Sequence, residues 1–170
     1  SDWSSDVCSS DLIEIGGINY EVRSIGRFFG NPNLKSVTML EGYRQTISLF
    51  AFSDCVSLEK VVLPSSVETI EGYAFNNCVS LRSINLPENI KTIPTAVFQN
   101  CRSLKSIDLP STVIAIEEAA FINCSSLLRL RLNTPGVIEG GNSMLMNTNP
   151  HLKIFVESQY LINYRQKTIW

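Results

Sequence analysis

Apolar residues recur along the chain in a fixed order and at a fixed spacing. The clearest units read Leu58-x-x-Val61-x-Leu63-Pro64, Leu81-x-x-Ile84-x-Leu86-Pro87 and Leu104-x-x-Ile107-x-Leu109-Pro110. Their first leucines follow one another at intervals of 23 residues. The last two apolar positions of each unit are two apart, which is the period of a strand with one buried face. Proline has no N–H to donate to a sheet, so it predicts the strand end.

Each predicted strand is followed by a second apolar segment and then by a small residue with a phenylalanine. The segments are Val67-x-x-Ile70, Ile90-x-x-Ile93 and Val113-x-x-Ile116, and the pairs are Ala51-Phe52, Ala74-Phe75, Val97-Phe98 and Ala120-Phe121. One unit cannot bury apolar residues on both of its sides, whereas units stacked at about 4.8 Å can. The constant period therefore predicts a solenoid with a column of buried phenylalanines, each contributing roughly 1.5–3 kcal/mol.

The repeat becomes less regular toward both ends, as terminal repeats of a solenoid do. Upstream, Ile25 and Phe28-Phe29 are interpreted as a worn copy that leads into Leu34-x-x-Val37-x-Met39. Asn31-Pro32-Asn33-Leu34 takes the place of the Cys-x-Ser-Leu found in the central units.

Downstream, Asn149-Pro150-His151-Leu152 again replaces Cys-x-Ser-Leu, and we place Leu145-Met146 at the Ala-Phe position. The glycine-rich segment TPGVIEGGN before it is longer than its counterparts and predicts a loop. The final segment, 158–170, predicts a capping helix. Ser158 is its expected N-cap, and Leu161, Tyr164 and Ile169 form its apolar face.

The first twelve residues, SDWSSDVCSSDL, do not fit the repeat. They match one reading frame of a common sequencing-library adapter, so we interpret residues 1–12, with Trp3 and Cys8, as non-native. A polar, disordered N-terminal tail is the alternative. On the first interpretation the native N-terminus, with any signal peptide, is missing, and the folded domain comprises residues 13–170.

Taken together, these motifs resemble the BspA-like class of leucine-rich repeats over about residues 13–170. The resemblance implies a right-handed, curved β/α superhelix of about five to six repeats. Short parallel strands, short helical turns and the C-terminal capping helix would be its parts. It further implies a secreted or surface-attached bacterial protein, active in adhesion and in binding host or microbial proteins. It carries no catalytic or individual binding residues over to this chain.

Composition narrows the function classes. The chain has 170 residues, of which 44% are hydrophobic, so a single domain with a sizeable core is expected. A net charge of −2 argues against an electrostatic nucleic-acid binder. No run of about 18 apolar residues predicts a membrane span. The sequence contains no glycine-rich phosphate loop and no zinc-protease or paired-cysteine spacing, so we predict neither an enzyme nor a cofactor.

Four cysteines, Cys55, Cys78, Cys101 and Cys124, occupy the same place in successive repeats. Stacking spreads four sulfurs over roughly 14 Å, too far for one zinc ion. Neighbouring Cβ atoms about 4.8 Å apart also exceed the spacing of a disulfide, which remains an alternative. A catalytic thiol needs a nearby base, and the only histidine, His151, lies outside the regular repeats. We therefore predict a column of buried, unreactive thiols.

Residues between the inward-facing apolar positions should face outward on the concave sheet. The candidate partner-binding residues are Lys60, Ser83, Asn85, Ser106, Asp108, Arg129 and Arg131. Asp108 and Arg131 are expected on adjacent strands as a cross-strand ion pair, and Arg129, Arg131 and Lys153 as a small basic spot. The sequence thus favours a non-enzymatic protein-recognition module. The alternatives are a structural spacer that presents another domain and an accessory module of a larger surface enzyme.

Overall fold

The computed structural model describes residues 12–15, 18–21, 28–39, 41, 45–134, 139–141 and 143–161. Its strands are β1 (Leu12–Ile15), β2 (Ile18–Glu21), β3 (Ser36–Thr38), β4 (Gln45–Ile47), β5 (Lys60–Val62), β6 (Val67–Ile70), β7 (Ser83–Ile84), β8 (Thr92–Ile93), β9 (Ser106–Leu109), β10 (Ala115–Ile116), β11 (Arg129–Leu132), β12 (Glu139–Gly140) and β13 (Lys153–Val156). Residues 1–11, which contain most of the segment interpreted as non-native, lie outside the described residues.

Strands from equivalent places in successive repeats pair in parallel, which confirms the predicted parallel-strand solenoid. We call β3, β5, β7, β9, β11 and β13 the front sheet; it comprises the ladders β3-β5-β7 and β9-β11-β13. We call β4, β6, β8, β10 and β12 the side sheet; it comprises the ladders β4-β6 and β8-β10-β12. The alternation along each front strand sets which side chains are buried: Val61 and Ile107 face the core, while Lys60 and Asp108 are exposed.

The predicted phenylalanine column forms the centre of the core. Phe28, Phe52, Phe75, Phe98 and Phe121 stack in order, with ring centroids 5.3–5.8 Å apart and ring planes within 18° of parallel. Phe28 thus occupies the phenylalanine position of the worn first copy, whereas Phe29 is 61% exposed. Ile25, assigned to the same copy, lies outside the described residues.

The connection from each side strand to the next front strand is a turn rather than a helix. It contains two residues with φ between +52° and +68°, four positions apart. The first column is Phe50, Tyr73, Ala96, Ala119 and Ser143, and the second is Gly30, Asp54, Asn77, Asn100, Asn123 and Asn147. Left-handed residues interrupt helical geometry, so the expectation of short helical turns is wrong for the described turns.

Hydrogen bonds between repeats replace those that a helix would form within itself. Phe52 donates its N–H to the Ala74 carbonyl at 2.8 Å, and Asp54 donates to Asn76 at 2.9 Å. The same two bonds recur one repeat on, from Phe75 to Val97 and from Asn77 to Gln99. The turns therefore form a third column that joins the repeats, alongside the front and side sheets.

Both sheets are interrupted near the repeat that begins at Ala74. On the side sheet, Glu71 donates its N–H to Ile47 and Glu117 donates to Ile93, but the equivalent residue between them is Pro94, which has no N–H. The ladder accordingly breaks between β6 and β8. On the front sheet the break falls between β7 and β9.

The two ends of the described chain differ from the sequence-based expectation. β1 and β2 form an antiparallel hairpin that contacts the front sheet at β3, which the repeat pattern did not predict. At the other end, residues Ser158–Tyr160 form a single 3-10 turn with no buried residue. Its N-cap is Glu157 rather than Ser158, without a side-chain capping bond, so the predicted N-cap is wrong. Tyr164 and Ile169 of the predicted capping helix lie outside the described residues.

The assignment of Leu145-Met146 to the Ala-Phe position is also wrong. The Phe121 N–H bonds to the Met144 carbonyl as that of Phe98 bonds to Ala120, so Met144-Leu145 occupies the position. The reason is one additional residue in the loop after β11. Leu109 pairs with Leu132, 23 residues on, whereas Leu132 pairs with Val156, 24 residues on.

Replacing one ring of the stack should destabilise the solenoid strongly. We expect Phe75→Ala to lower the free energy of unfolding by about 3–5 kcal/mol, because it leaves a large cavity between Phe52 and Phe98. Phe29→Ala, the matched control at an exposed ring, should change it by less than about 0.5 kcal/mol. Urea unfolding followed by circular dichroism measures both. Equal losses in the two variants would contradict the assigned core.

The left-handed turn residues offer a test of the backbone geometry. Ala119 has φ +60°, so Ala119→Gly should raise the free energy of unfolding by about 0.5–1 kcal/mol through release of strain. Ala115→Gly in β10 should lower it by a similar amount, because an ordinary strand residue gains only unfolded-state freedom. The same urea titrations compare the two. A loss of stability in Ala119→Gly would rule out the left-handed assignment.

Candidate interaction surface on the front sheet

The outward residues of the front sheet lie in columns, as predicted. Ser36, Lys60 and Ser83 are in register across β3, β5 and β7. Ser106 is in register with Arg129, and Asp108 with Arg131, across β9 and β11. All of the predicted partner-binding residues are exposed except Ser106, which is half-buried. The structure thus brings Lys60, Ser83 and Asn85 together at one end of the sheet, and the other four residues together at the other end.

The predicted ion pair between Asp108 and Arg131 is replaced by a diagonal one. Although the two residues are opposite each other, the Asp108 carboxylate lies 3.6 Å from the guanidinium of Arg129. A second pair joins Arg82 to Glu59 at 3.7 Å. Both pairs are about half exposed, so each contributes at most about 1 kcal/mol and leaves the surface available to a partner.

Asn85 has a structural contact that sequence reasoning missed. Its side-chain Oδ1 accepts the Leu63 N–H at 2.8 Å, and its Nδ2 donates to the Leu63 carbonyl at 2.6 Å. In the preceding repeat, Met39 donates its N–H to the backbone carbonyl of Val62. The Asn85 amide therefore substitutes for a peptide group where β7 ends. A partner that used this amide would have to break both bonds.

The cysteine column is buried, and Cys55, Cys78, Cys101 and Cys124 are all free thiols, as predicted. Each thiol also donates a hydrogen bond to a phenylalanine carbonyl of the preceding repeat. Cys78 bonds to Phe52 with a sulfur–oxygen distance of 3.1 Å, and Cys101 bonds to Phe75 at 3.2 Å. The Phe52 carbonyl also accepts the backbone N–H of Cys55. A small side chain with one donor is what this position requires, which burial alone did not indicate.

Burial suppresses the chemistry of these thiols. Desolvation raises the pKa of Cys55 to about 11 and that of Cys124 to about 12, and it raises those of Cys78 and Cys101 further. The reactive form is the thiolate, which is thus scarce at neutral pH. Among the described residues no group of histidine, cysteine and acidic side chains could hold a metal ion.

Thiol labelling tests the column directly. In a Cys8→Ser background, which removes the cysteine outside the described residues, we expect an aromatic disulfide reagent at pH 8 to modify the native protein only as fast as it unfolds. Burial and the raised pKa of each thiol both cause this protection. The same reagent in 6 M guanidinium chloride, about the concentration that unfolds most domains, should react with all four thiols at once. Rapid modification of native Cys78 or Cys101 would contradict the assignment.

A groove on the side sheet is the other concave feature. It has a volume of about 520 Å³ and is lined by Glu68, Thr69, Ile70, Asn89, Ile90, Lys91 and Thr92. It lies at the break between β6 and β8, where Pro94 replaces a ladder donor. Its lining has no nucleophile paired with a base, so it does not present an active site. No helix in the described part of the chain is long and apolar enough to cross a bilayer.

Comparison with known proteins identifies the repeat. The profile of the BspA type leucine rich repeat region matches residues 45–163 in six copies. A leucine rich cell surface protein from Faecalibacterium prausnitzii has a similar structure, with 28% identity and a TM-score of 0.68. The match covers 95% of this chain and 42% of that one, so this chain spans less than half of its length.

Two further solved structures are similar. A leucine rich repeat protein from T. pallidum has 25% identity and a TM-score of 0.58, over 90% of this chain and 78% of that one. A leucine-rich repeat protein from Bacteroides ovatus, at 21% identity and a TM-score of 0.51, shares the fold over 85% of this chain and 51% of that one. No curated protein matches the chain.

Proposed function

The chain belongs to the BspA-type leucine-rich repeat family, and from this premise we propose that it is a non-enzymatic protein-recognition or adhesion module. Its partner would be a host or microbial surface protein, bound across the front sheet without a cofactor. Lys60, Ser83, Ser106, Asp108, Arg129 and Arg131 are the proposed contact residues, with Asn85 supporting the surface. The observation that carries the proposal is the in-register array of exposed polar side chains on parallel strands.

The physical basis is preorganisation. Strand pairing fixes each outward side chain about 4.8 Å from its neighbour, so six strands give a surface about 24 Å long. Side chains that are already ordered lose less conformational entropy on binding. Ser83 and Ser106 are small and lie at the middle of the surface, so a partner can approach the strands closely there. A surface of this length can supply much of a standard interface of about 800 Å² per partner.

Location outside the cell is part of the same proposal. The F. prausnitzii protein of similar structure is described as a cell surface protein. An extracellular or cell-surface setting would give the front sheet access to host or microbial proteins. Four buried, reduced thiols are compatible with that setting, because burial slows their oxidation.

Tryptophan substitutions at the middle of the front sheet test the function. The protein would be titrated onto immobilised purified matrix, serum and bacterial surface proteins by biolayer interferometry. For at least one of them, Ser83→Trp with Ser106→Trp should weaken binding about tenfold or more, because the two indoles block the surface. Thr69→Trp, at an exposed position of β6 in the side sheet, is the matched control and should leave binding unchanged.

The opposite pattern would overturn the proposal. If Thr69→Trp weakens binding while the front-sheet variant does not, the partner binds the side sheet. If no protein in the panel binds the wild type, the chain acts instead as a spacer or as an accessory module of a larger protein. Circular dichroism and urea unfolding of each variant show whether it remains folded.

A further inference from the structure

Positive charge is concentrated on the front sheet, although the whole chain is acidic. Seven of the 14 lysines and arginines of the chain are exposed at outward front-strand positions or directly before a front strand: Lys35, Lys60, Arg82, Lys105, Arg129, Arg131 and Lys153. The same positions carry only two acidic residues, Glu59 and Asp108. The net charge of −2 therefore conceals a basic face.

The opposite charge prevails on the side sheet. Glu68, Glu71, Glu117 and Glu118 are exposed in or directly after the side strands, where Lys91 is the one exposed cation among the described residues. Charges on opposite sides of a solenoid are separated by about a Debye length or more at physiological salt, so they neutralise each other poorly. The front sheet thus presents a positive potential to an approaching partner.

The unpaired cations are concentrated toward the C-terminal end of the front sheet. Arg82 and Arg129 have the ion pairs with Glu59 and Asp108. Lys105, Arg131 and Lys153 form no ion pair with another described residue, and their side chains are exposed. Lys153 is in register with Arg129, one position from the column of Arg131, so the strand spacing holds these charges close together. Mutual repulsion among them would be relieved by an anionic partner.

Two exposed apolar residues lie among these cations. Leu128 is 48% exposed and donates its N–H to the Lys105 carbonyl at 2.9 Å. Other repeats place Lys35, Glu59, Arg82 and Lys105 at its position. Phe155 is 43% exposed and is in register with Arg131. Exposing a leucine and a phenylalanine forgoes roughly 1.5–3 kcal/mol each, which burial by a partner would recover.

We propose that this end of the front sheet binds an extended, acidic segment of a partner protein in which apolar side chains alternate with carboxylates along one face. The basic end, as we call it, comprises Lys105, Leu128, Arg129, Arg131, Lys153 and Phe155. The carboxylates pair with Arg131, Lys153 and Lys105, and the apolar side chains cover Phe155 and Leu128. This inference rests on the proposed protein-recognition function and specifies the chemistry of the partner.

The mixture of groups favours a polypeptide over other polyanions. A sulfated polysaccharide has no apolar side chains to cover Leu128 and Phe155. Single-stranded nucleic acid binds through a series of stacking aromatic residues, whereas the described front strands carry one outward aromatic residue, Phe155. Arginine with an aromatic residue is the composition enriched in energetically important protein contacts.

Synthetic peptides test the inference without a known partner. In an extended peptide, residues two apart share a face, so a 12-residue repeat of Glu-Glu-Leu-Leu presents carboxylate and leucine alternately on both faces. Its fluorescein-labelled form should bind the full chain, as measured by fluorescence anisotropy. Replacing leucine by serine in the peptide should weaken binding about fivefold or more, and replacing glutamate by lysine should abolish it. Raised salt should weaken binding of the acidic peptide.

Protein variants locate the site. Arg131→Glu with Lys153→Glu should weaken binding of the Glu-Glu-Leu-Leu peptide about tenfold or more, and Leu128→Ala with Phe155→Ala about threefold or more. Lys91→Glu on the side sheet is the matched charge reversal and should have less than about a twofold effect. These exposed changes should leave the urea midpoint close to that of the wild type.

Several outcomes would overturn the inference. They are no peptide binding, equal effects of Lys91→Glu and the front-sheet reversal, or tighter binding of a 12-nucleotide oligothymidylate or a heparin oligosaccharide than of the acidic peptide. The tryptophan variants at Ser83 and Ser106 distinguish this failure from failure of the proposed function. If they abolish capture of a protein partner while Arg131→Glu with Lys153→Glu leaves it intact, the front sheet binds proteins by other chemistry.

Discussion

The hydrogen bond from one turn to the next is the interaction on which the rest of the structure depends. Phe75 donates its N–H to Val97 and Asn77 donates to Gln99, so the polar groups of a turn are satisfied by the next repeat rather than within the turn. A buried donor without a partner costs roughly 1–3 kcal/mol. Every turn must therefore lie at the same height relative to its neighbour, and this fixes the 23-residue period. The phenylalanine stack and the thiol bonds follow, because both need side chains in exact succession.

The same constraint explains where the period can change. The loop after β11 contains one additional residue, and the pairings on both sheets move from a spacing of 23 to one of 24 after it. The turn column regains its bonds beyond the loop, since Phe121 and Asn123 donate to Met144 and Met146. An insertion is thus tolerated between two strands but not within the Ala-Phe turn. For the same reason Gly141 is a glycine, because a Cβ there would lie within 3 Å of the backbone of Glu117 and Glu118.

The sequence was sufficient for features that depend on period and polarity. It placed the parallel strands, the phenylalanine column, the buried thiols and the outward columns, because each follows from alternation along a strand and from stacking. It could not reveal the turn conformation, since Tyr73 and Ala96 have left-handed φ in places where their residue types give no such signal. It also could not reveal that Asn85 acts as a peptide group, because the hydrogen bonds of an amide depend on where the neighbouring strand ends.

The separation between scaffold and surface has a consequence for recognition. Core positions such as Phe98 and Cys101 are constrained by the adjoining repeats, whereas an outward residue contacts at most its two strand neighbours. Charge and apolar character can thus change from one strand to the next without affecting the fold. The exposed Leu128, at a position that is charged in the other four repeats, is such a change, and it lies one strand from Phe155 and beside Arg129. Nothing in the stacking requires a leucine there, so its physical reason lies outside the solenoid, in what covers it.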